Sequence, residues 1–362
     1  MTPLRAGPFI ASLPGRAFAG HNEEVNRVFP VPLLIFAVTL APGGLVSGQD
    51  TELPVFRRCF AEVKEAVPPF VNGRFDPRQG ETISFLGGSD TFDFDRYLFL
   101  ESAFHLSWPG QELHLRNLAC QGDTIFYQAR PLYFYTKKGD TQPGSLPDHR
   151  ERTIPGIIFL CFGKMESLDG SASLPQFLAA YKKVLDELTP LTNRLVLMSP
   201  TPFFPTGPAA AQVKMRNPVL GEFVAGMRGL AGERGMLFVD LFTPLLSDLD
   251  AAWSLNGIHL TEAGHRVVAA QIAEQLKFPG GPVNVASQSL RQAIERKNRL
   301  WQQYYRPTNW AFLFGDRQHV PASRDPVDRD QRWFVREIDS LPGLIAETEA
   351  DIHRYAREAA HQ

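Results

Sequence analysis

The sequence carries none of the short signatures of a bound cofactor: no P-loop, no H-E-x-x-H and no G-x-G-x-x-G occurs in its 362 residues. The usual metalloprotease, nucleotide and dinucleotide classes are thereby excluded, and neither a cofactor nor a metal is expected. Cysteine is scarce. Cys59, Cys120 and Cys161 are the only three, none in a C-x-x-C or C-x-x-C-H spacing, so there is no disulfide framework and no zinc or haem site. At most one disulfide is open to them, with Cys120 and Cys161 as the candidate pair. Neither charge sign prevails: 37 Lys+Arg stand against 39 Asp+Glu, a formal net charge of -2, so no bulk attraction to nucleic acid or an anionic membrane is expected. What is there is ordinary globular composition, 44% hydrophobic and 21% charged, enough to bury a sizeable core. Such a chain is expected to be a cofactor-free hydrolase or a binding protein.

The strongest apolar run of the first fifty residues, Val31 to Leu40, follows Arg27 and leads through Pro42-Gly43-Gly44 to Val46-Ser47-Gly48. A charged flank, about a dozen apolar residues and small residues at the last and third-last positions fit an export signal ending near Gly48. The run is too short for a comfortable membrane span. A buried strand or helix over Leu33 to Leu40 is the alternative. The polar, Pro/Gly-rich stretch before it is more than a signal needs, which places the expected start nearer Val25 or Val28. The organisation expected is a leader over residues 1–48, a lead-in over 49–80, a main domain over 81–278 and a helical extension over 279–362, in a protein exported to the periplasm or beyond.

From Thr82 onward short apolar runs alternate with amphipathic stretches. The runs are Ile83–Leu86, Leu113–Leu118, Ile157–Phe162, Leu195–Met198 and Met236–Val239. Between them, helical spacing marks Phe94–Leu106, Leu174–Leu188, Gln212–Arg234, interrupted by Pro218, and Glu262–Leu276. About five strands with crossover helices predict an α/β fold, a mostly parallel sheet covered on both faces. After Pro279-Gly280-Gly281-Pro282, helical spacing resumes at Leu290, Ile294, Trp301 and Tyr305, and a last helix is expected over Leu341–Tyr355. This tail is too small and too charged for a core of its own and is read as an appendage on the main domain.

Ligands of open parallel sheets sit at the carboxyl ends of the strands. The first such loop is Gly87-Gly88-Ser89-Asp90, where two glycines turn the chain sharply and present the Ser89 hydroxyl and N–H at a helix start; a phosphate-binding turn or a plain tight connection looks the same. The second runs Arg116-Asn117-Leu118-Ala119-Cys120-Gln121-Gly122-Asp123-Thr124, with Gly122 free to present its N–H. The third is Gly163-Lys164-Met165-Glu166-Ser167. The last is Asn256-Gly257-Ile258-His259-Leu260-Thr261-Glu262-Ala263-Gly264-His265, with Thr261 as helix N-cap and His259 just before it.

In order and character these four segments resemble the blocks of the SGNH (GDSL-type) hydrolase family, over roughly Thr82 to Leu276. The resemblance implies a flavodoxin-like three-layer sandwich. It implies Ser89 as nucleophile, His259 as general base, and the Ser89 and Gly122 amides as oxyanion donors. The stretch Lys297-Asn298 through Arg306-Pro307-Thr308-Asn309 to Phe314-Gly315-Asp316-Arg317-Gln318-His319 resembles the C-terminal extension of an exported bacterial subgroup. Three departures stand out. The family's Gly-Asp-Ser is here Gly87-Gly88-Ser89. Its third-block asparagine, an oxyanion donor, is replaced by Met165, which has no N–H to offer; removing one such donor costs about 10²–10³ in rate unless Lys164 or a backbone amide substitutes. Asn256 stands three residues before His259, where the family more often has aspartate, and is expected to orient the imidazole through its carbonyl.

The reading that follows is a serine esterase acting on small acyl groups, acetyl above all, on a small-molecule or carbohydrate ester. Asn309 is a candidate substrate contact, should the segment Arg306 to His319 close over the site. The rival is a catalytically impaired relative that binds a glycan or protein partner through the same cleft, on account of Met165 and Gly88. A nucleotide binder using the Gly87-Gly88-Ser89 turn is the minor third.

Overall fold

The computed structural model describes residues 55–127, 153–280, 286–313, 317, 319–321 and 324–361. The leader expected over residues 1–48, with its apolar run, lies outside the described residues. Every described element belongs to the unit Glu52–Gln362.

Five apolar runs become five strands: β1 (Thr82–Gly87), β2 (His114–Asn117), β3 (Ile157–Cys161), β4 (Leu195–Met198) and β5 (Leu237–Val239). They form one sheet in the order β2-β1-β3-β4-β5, and every neighbouring pair is parallel. This is the expected flavodoxin-like α/β arrangement. The strand order reverses between β1 and β3, so the loops leaving those two strands flank the crevice where such sheets hold their ligands.

Besides short 3-10 turns, eleven α-helices are described: α1 (Val55–Arg58), α2 (Ser89–Phe92), α3 (Phe94–Tyr97), α4 (Phe99–Ser107), α5 (Leu174–Leu188), α6 (Val213–Glu233), α7 (Phe242–Ser247), α8 (Glu262–Gln275), α9 (Gln288–Tyr305), α10 (Trp310–Leu313) and α11 (Trp333–Ala360). Alternate strand residues feed two cores. On one face Ile83, Phe85, Phe159 and Val196 pack with Phe104 of α4 and Val268 and Ile272 of α8. On the other Leu86, Leu160 and Leu197 pack with Phe177 and Tyr181 of α5 and Phe223 and Met227 of α6. Both faces of the sheet are covered, which is why its inner strands are rich in apolar residues, whereas edge strand β2, His-Leu-Arg-Asn, alternates.

Three helix expectations need correction. The helix expected over Phe94–Leu106 is split at Leu98, which takes a left-handed φ of 63°, and α2 precedes it. Pro218 does not interrupt α6. It sits on the exposed face, where water can satisfy the Lys214 carbonyl that loses its N–H partner. The last helix begins at Trp333 rather than Leu341 and runs through Pro342. Cys120 and Cys161 are buried as thiols, with no disulfide between them.

β1 runs into two glycines at which any side chain would force the neighbouring main chain to shift. A Cβ on Gly87 would lie 2.6 Å from the Cys161 carbonyl oxygen, and one on Gly88 would lie 2.6 Å from that of Asp123. The loops after β2 and β3 therefore press directly onto the β1 exit.

β2 is an edge strand, and the extension closes it. The carbonyls of Leu113, Leu115 and Asn117 point away from β1, and each accepts a side-chain donor from α9 or α11 or from the residue that caps α9. His353 Nε2 donates to Leu113 at 3.0 Å, Lys297 Nζ to Leu115 at 3.3 Å, and Trp301 Nε1 and Arg306 Nη2 to Asn117 at 3.0 and 3.1 Å. Residues of a strand alternate in direction, so a two-residue spacing of carbonyls meets a ladder of side chains in place of a sixth strand. Buried charge pins the contact. Lys297 reaches Glu101 of α4 at 2.6 Å, and Asn298 donates to the same carboxylate at 2.9 Å. Burial raises the Glu101 pKa, but Lys297 and His105 more than offset this and hold it below the usual carboxylate range. Arg116 and His114 close on the buried Glu349 of α11.

Two measurements check this packing. Lys297→Met leaves Glu101 without its counter-charge and is expected to lower the unfolding free energy in urea by roughly 3 kcal/mol; a loss below about 1 kcal/mol would show that the pair does not anchor the extension. Gly88→Asp, which writes the family's usual Gly-Asp-Ser, is expected to destabilise by about 2 kcal/mol through overpacking rather than improve the protein. A Gly88→Asp variant as stable as the parent would contradict the close approach to Asp123.

Candidate active site

Because the chain turns at Gly88 directly into α2, three polar side chains follow within one helical turn. Ser89 opens α2, Asp90 is next to it, and Asp93 lies four residues on, on the same side of the turn as Ser89. Asp90 points inward. It pairs with Lys164 Nζ at 2.7 Å, and its other oxygen accepts the Thr201 N–H at 3.0 Å. Lys164 also donates to the Thr201 hydroxyl at 2.7 Å, and both charged side chains are buried.

Asp93 reaches the other way. Its Oδ2 lies 3.0 Å from Nδ1 of His259. A carboxylate acceptor there fixes the proton on Nδ1 and leaves the Nε2 lone pair free to act as a base. The loop that carries His259 is held by its own polar residues. Ser254 Oγ donates to the His259 carbonyl at 2.9 Å, Gly257 N–H donates to Ser254 Oγ at 2.8 Å, and Thr261 caps α8 by accepting the Gly264 N–H. Behind this pair His265 of α8 is buried with its ring 5.0 Å from that of Tyr97; burial lowers its pKa to about 4, which keeps it neutral.

Asn256 does not meet the imidazole as expected. Its Oδ1 accepts the backbone N–H groups of Ile258 and His259, at 3.1 and 2.9 Å, so Asn256 shapes the loop, and the imidazole takes its partner from Asp93. The short side chain closes an Asx turn two to three residues on, a stronger local demand than a reach to the ring. Asp93 was missed because the helix was expected to begin at Phe94; with α2 starting at Ser89, the Ser-Asp-Thr-Phe-Asp spacing is the signal that could have found it.

Gly122 takes a left-handed φ of 87° on the loop whose next residue, Asp123, touches Gly88. Asp123 also lines a small cavity with Gly88, Ser89, Gly163, Lys164 and Met165. Gly163 is no donor to that cavity, because its N–H goes to Glu166 at 2.9 Å, while the other Glu166 oxygen accepts the Ile125 N–H at 2.7 Å. Burial raises the Glu166 pKa although these N–H bonds oppose it. Glu166 thus ties the second and third blocks together and makes no ion pair with Lys164. Lys164, expected as a substitute oxyanion donor, is committed to Asp90 and Thr201. Met165 is 36% exposed and borders the cavity. Asn309 lies elsewhere, lining a cavity with Phe92 and residues of α9 and α11. Among the described residues the Ser89 hydroxyl has no hydrogen bond to His259, and no cluster of side chains could hold a metal ion.

No curated protein matches the chain. Solved structures similar to it are distant. A gut microbial diltiazem-metabolizing enzyme, BT4096, shares 18% identity at a TM-score of 0.43 over 59% of this chain, which spans only 49% of that one. Axe2, an acetylxylan esterase from Geobacillus stearothermophilus, shares 19% at 0.42 over 56% of this chain and 97% of its own. The acetyl xylan esterase AlAXEase shares 16% at 0.39, over 53% and 98%. The sequence itself is decisive: residues 87–267, half of the chain, match the GDSL-like Lipase/Acylhydrolase family, with the Ser89 turn at one end and the His259 loop near the other, and the chain belongs to that family.

Proposed function

We propose that the protein is a serine esterase in which Ser89, His259 and Asp93 act together on a small acyl ester, acetyl above all. One observation carries this reading: a carboxylate one turn beyond Ser89 holds the Nδ1 edge of His259, so that Nε2 is the nitrogen left for the serine. The Ser89 hydroxyl attacks the ester carbonyl carbon while His259 Nε2 takes its proton. The Ser89 and Gly122 amides receive the oxyanion. Collapse of the tetrahedral intermediate expels the alcohol, which leaves with the proton from Nε2, and an acyl-Ser89 remains. A water then gives a proton to Nε2 and its oxygen to the acyl carbon, and the acid leaves as Ser89 is restored. The short Ser89–His259 bond belongs to the substrate complex, since catalytic hydrogen bonds are often long without substrate.

Asp90 also argues against the nucleotide reading, because its carboxylate in the first turn of α2 would repel a phosphate. The binding-only reading keeps one specific observation in its favour: Met165 in the third block has no N–H to offer, and Lys164 is engaged by Asp90. On the esterase reading this lowers turnover by about 10²–10³ against a three-donor site without abolishing it. No described helix is long and apolar enough to cross a membrane. The apolar run Val31–Leu40 we take as an export signal, which places the enzyme outside the cytoplasm.

The test is labelling of the full chain by a fluorophosphonate together with hydrolysis of an aryl acetate. Labelling and turnover are expected, and both should vanish in Ser89→Ala. A folded parent protein that neither labels nor hydrolyses would overturn the esterase and leave the binding reading.

A further inference from the structure

α2 opens with Ser89 and ends directly before Asp93, yet it is only four residues long, and a helix of that length does not hold itself. Its place is set from outside. Near its start Asp90 is tied to Lys164 and Thr201. At its far end a helix leaves carbonyls open, and here one buried side chain meets two of them. Asn117 Nδ2 donates to the Thr91 carbonyl at 3.0 Å and to the Phe92 carbonyl at 3.2 Å. Asn117 Oδ1 accepts the Ala119 N–H at 3.1 Å, so the amide is fixed at both ends.

Asn117 is in turn held by the extension. It ends β2, in register with Phe85 of β1, and its carbonyl accepts Trp301 Nε1 and Arg306 Nη2. The Arg306 guanidinium also lies 4.6 Å from the centroid of the Phe92 ring. The last residue of α2 is therefore gripped twice, at its carbonyl by Asn117 and at its ring by Arg306. The grip continues beyond Asp93: burial raises the Asp95 pKa, and Lys297 foremost, with Arg306 and Asn117, opposes the rise. Neither Asn117 nor Arg306 is among the residues that line the Ser89 cavity.

We propose that Asn117 and Arg306 are positioning residues of the reaction. Arg306 fixes the Asn117 main chain and the Phe92 ring, and the Asn117 amide fixes the end of α2, so that Asp93 meets His259 while Ser89 opens the same turn. The proposal deepens the esterase reading and rests on it for its effect on rate. It gives the extension a task in catalysis besides closing the β2 edge. Because both residues stand away from the cavity, their loss acts on the alignment of Ser89, Asp93 and His259 and leaves substrate contacts in place. A shift of about 1 Å in such a group costs on the order of 10²-fold in rate.

Three substitutions in the full chain test this. Arg306→Met keeps an unbranched stem beside Phe92 and leaves Trp301 on the Asn117 carbonyl; Arg306→Lys keeps a cation and an N–H there; Asn117→Ala removes the amide. Aryl-acetate hydrolysis is measured per fluorophosphonate-labelled site, so that unfolded protein is not counted. Arg306→Met and Asn117→Ala are expected to lose roughly tenfold or more in kcat with KM within about twofold of the parent, and Arg306→Lys to stay within about threefold. The double variant Asn117→Ala/Arg306→Met should lose less than the product of the two, because both act on one turn. Parental kcat in Arg306→Met, a change in KM alone, or equal losses in the two Arg306 variants would overturn the proposal. If Asn117→Ala does not fold, the two Arg306 variants decide. A second readout needs no turnover: the low-field Nδ1 proton resonance of His259, identified by its absence in His259→Gln. It should be present in the parent and in Arg306→Lys and be lost in Arg306→Met; its persistence in Arg306→Met would overturn the positioning role. A parent protein that shows this resonance but neither labels nor hydrolyses would instead overturn the esterase, and the resonance in the Arg306 variants would then decide the positioning role by itself.

Discussion

At the carboxyl end of β1 the main chain passes so close to the Cys161 and Asp123 carbonyl oxygens that a side chain at position 87 or 88 would push them away. The rest of the site depends on that approach. It draws the exits of β2 and β3 against the exit of β1, at the point where the strand order reverses, and it forces the chain straight into α2. A helix that starts there has no room for a leading loop, so Ser89, Asp90 and Asp93 come from a single turn and point to different partners. Asp90 is spent on Lys164 and Thr201, which fastens α2 to the loops after β3 and β4. Asp93 is thereby left to face the His259 loop.

The same geometry explains how the chain can depart from the usual family pattern. An aspartate before the serine would crowd the Asp123 carbonyl, and the acidic residue that follows the serine takes up a structural ion pair. The aspartate usually found three residues before the histidine is an asparagine that closes a turn, and the carboxylate that meets the His259 ring, Asp93, comes from the Ser89 segment. The His259 loop then has only to place the ring, a task met by Ser254, Asn256 and Thr261 through backbone bonds.

Much of the fold was legible in the sequence because a sheet buried on both faces writes its inner strands as apolar runs. All five lie within the expected segments, although β2 alternates as an edge strand, and α5 matches its periodic stretch residue for residue. Four-residue α2 has no period to detect, and its start is set by a tertiary contact at Gly88. Missing it hid the Ser89 and Asp93 spacing, and with it the orienting carboxylate. The partners of Lys164 and Asn256 were illegible for a similar reason: each side chain had a plausible local role, and contacts from Asp90 and from the turn's own amides decided the outcome. The edge role of the extension was likewise out of reach. Its helical spacing showed which residues of α9 face inward, but only the register of β2 shows that Lys297, Trp301, Arg306 and His353 meet carbonyls left open by a missing strand.

The origin of the carboxylate that orients His259 is the point on which the esterase reading turns. Its direct measurement is the kcat for aryl-acetate hydrolysis of Asp93→Asn and of Asn256→Ala beside the parent protein. If Asp93 holds the imidazole, Asp93→Asn loses about 10⁴ in kcat, as expected when the ring takes the wrong tautomer, and Asn256→Ala loses less than tenfold. A large loss in Asn256→Ala with an Asp93→Asn variant close to the parent would contradict it, and would return the histidine's partner to its own loop.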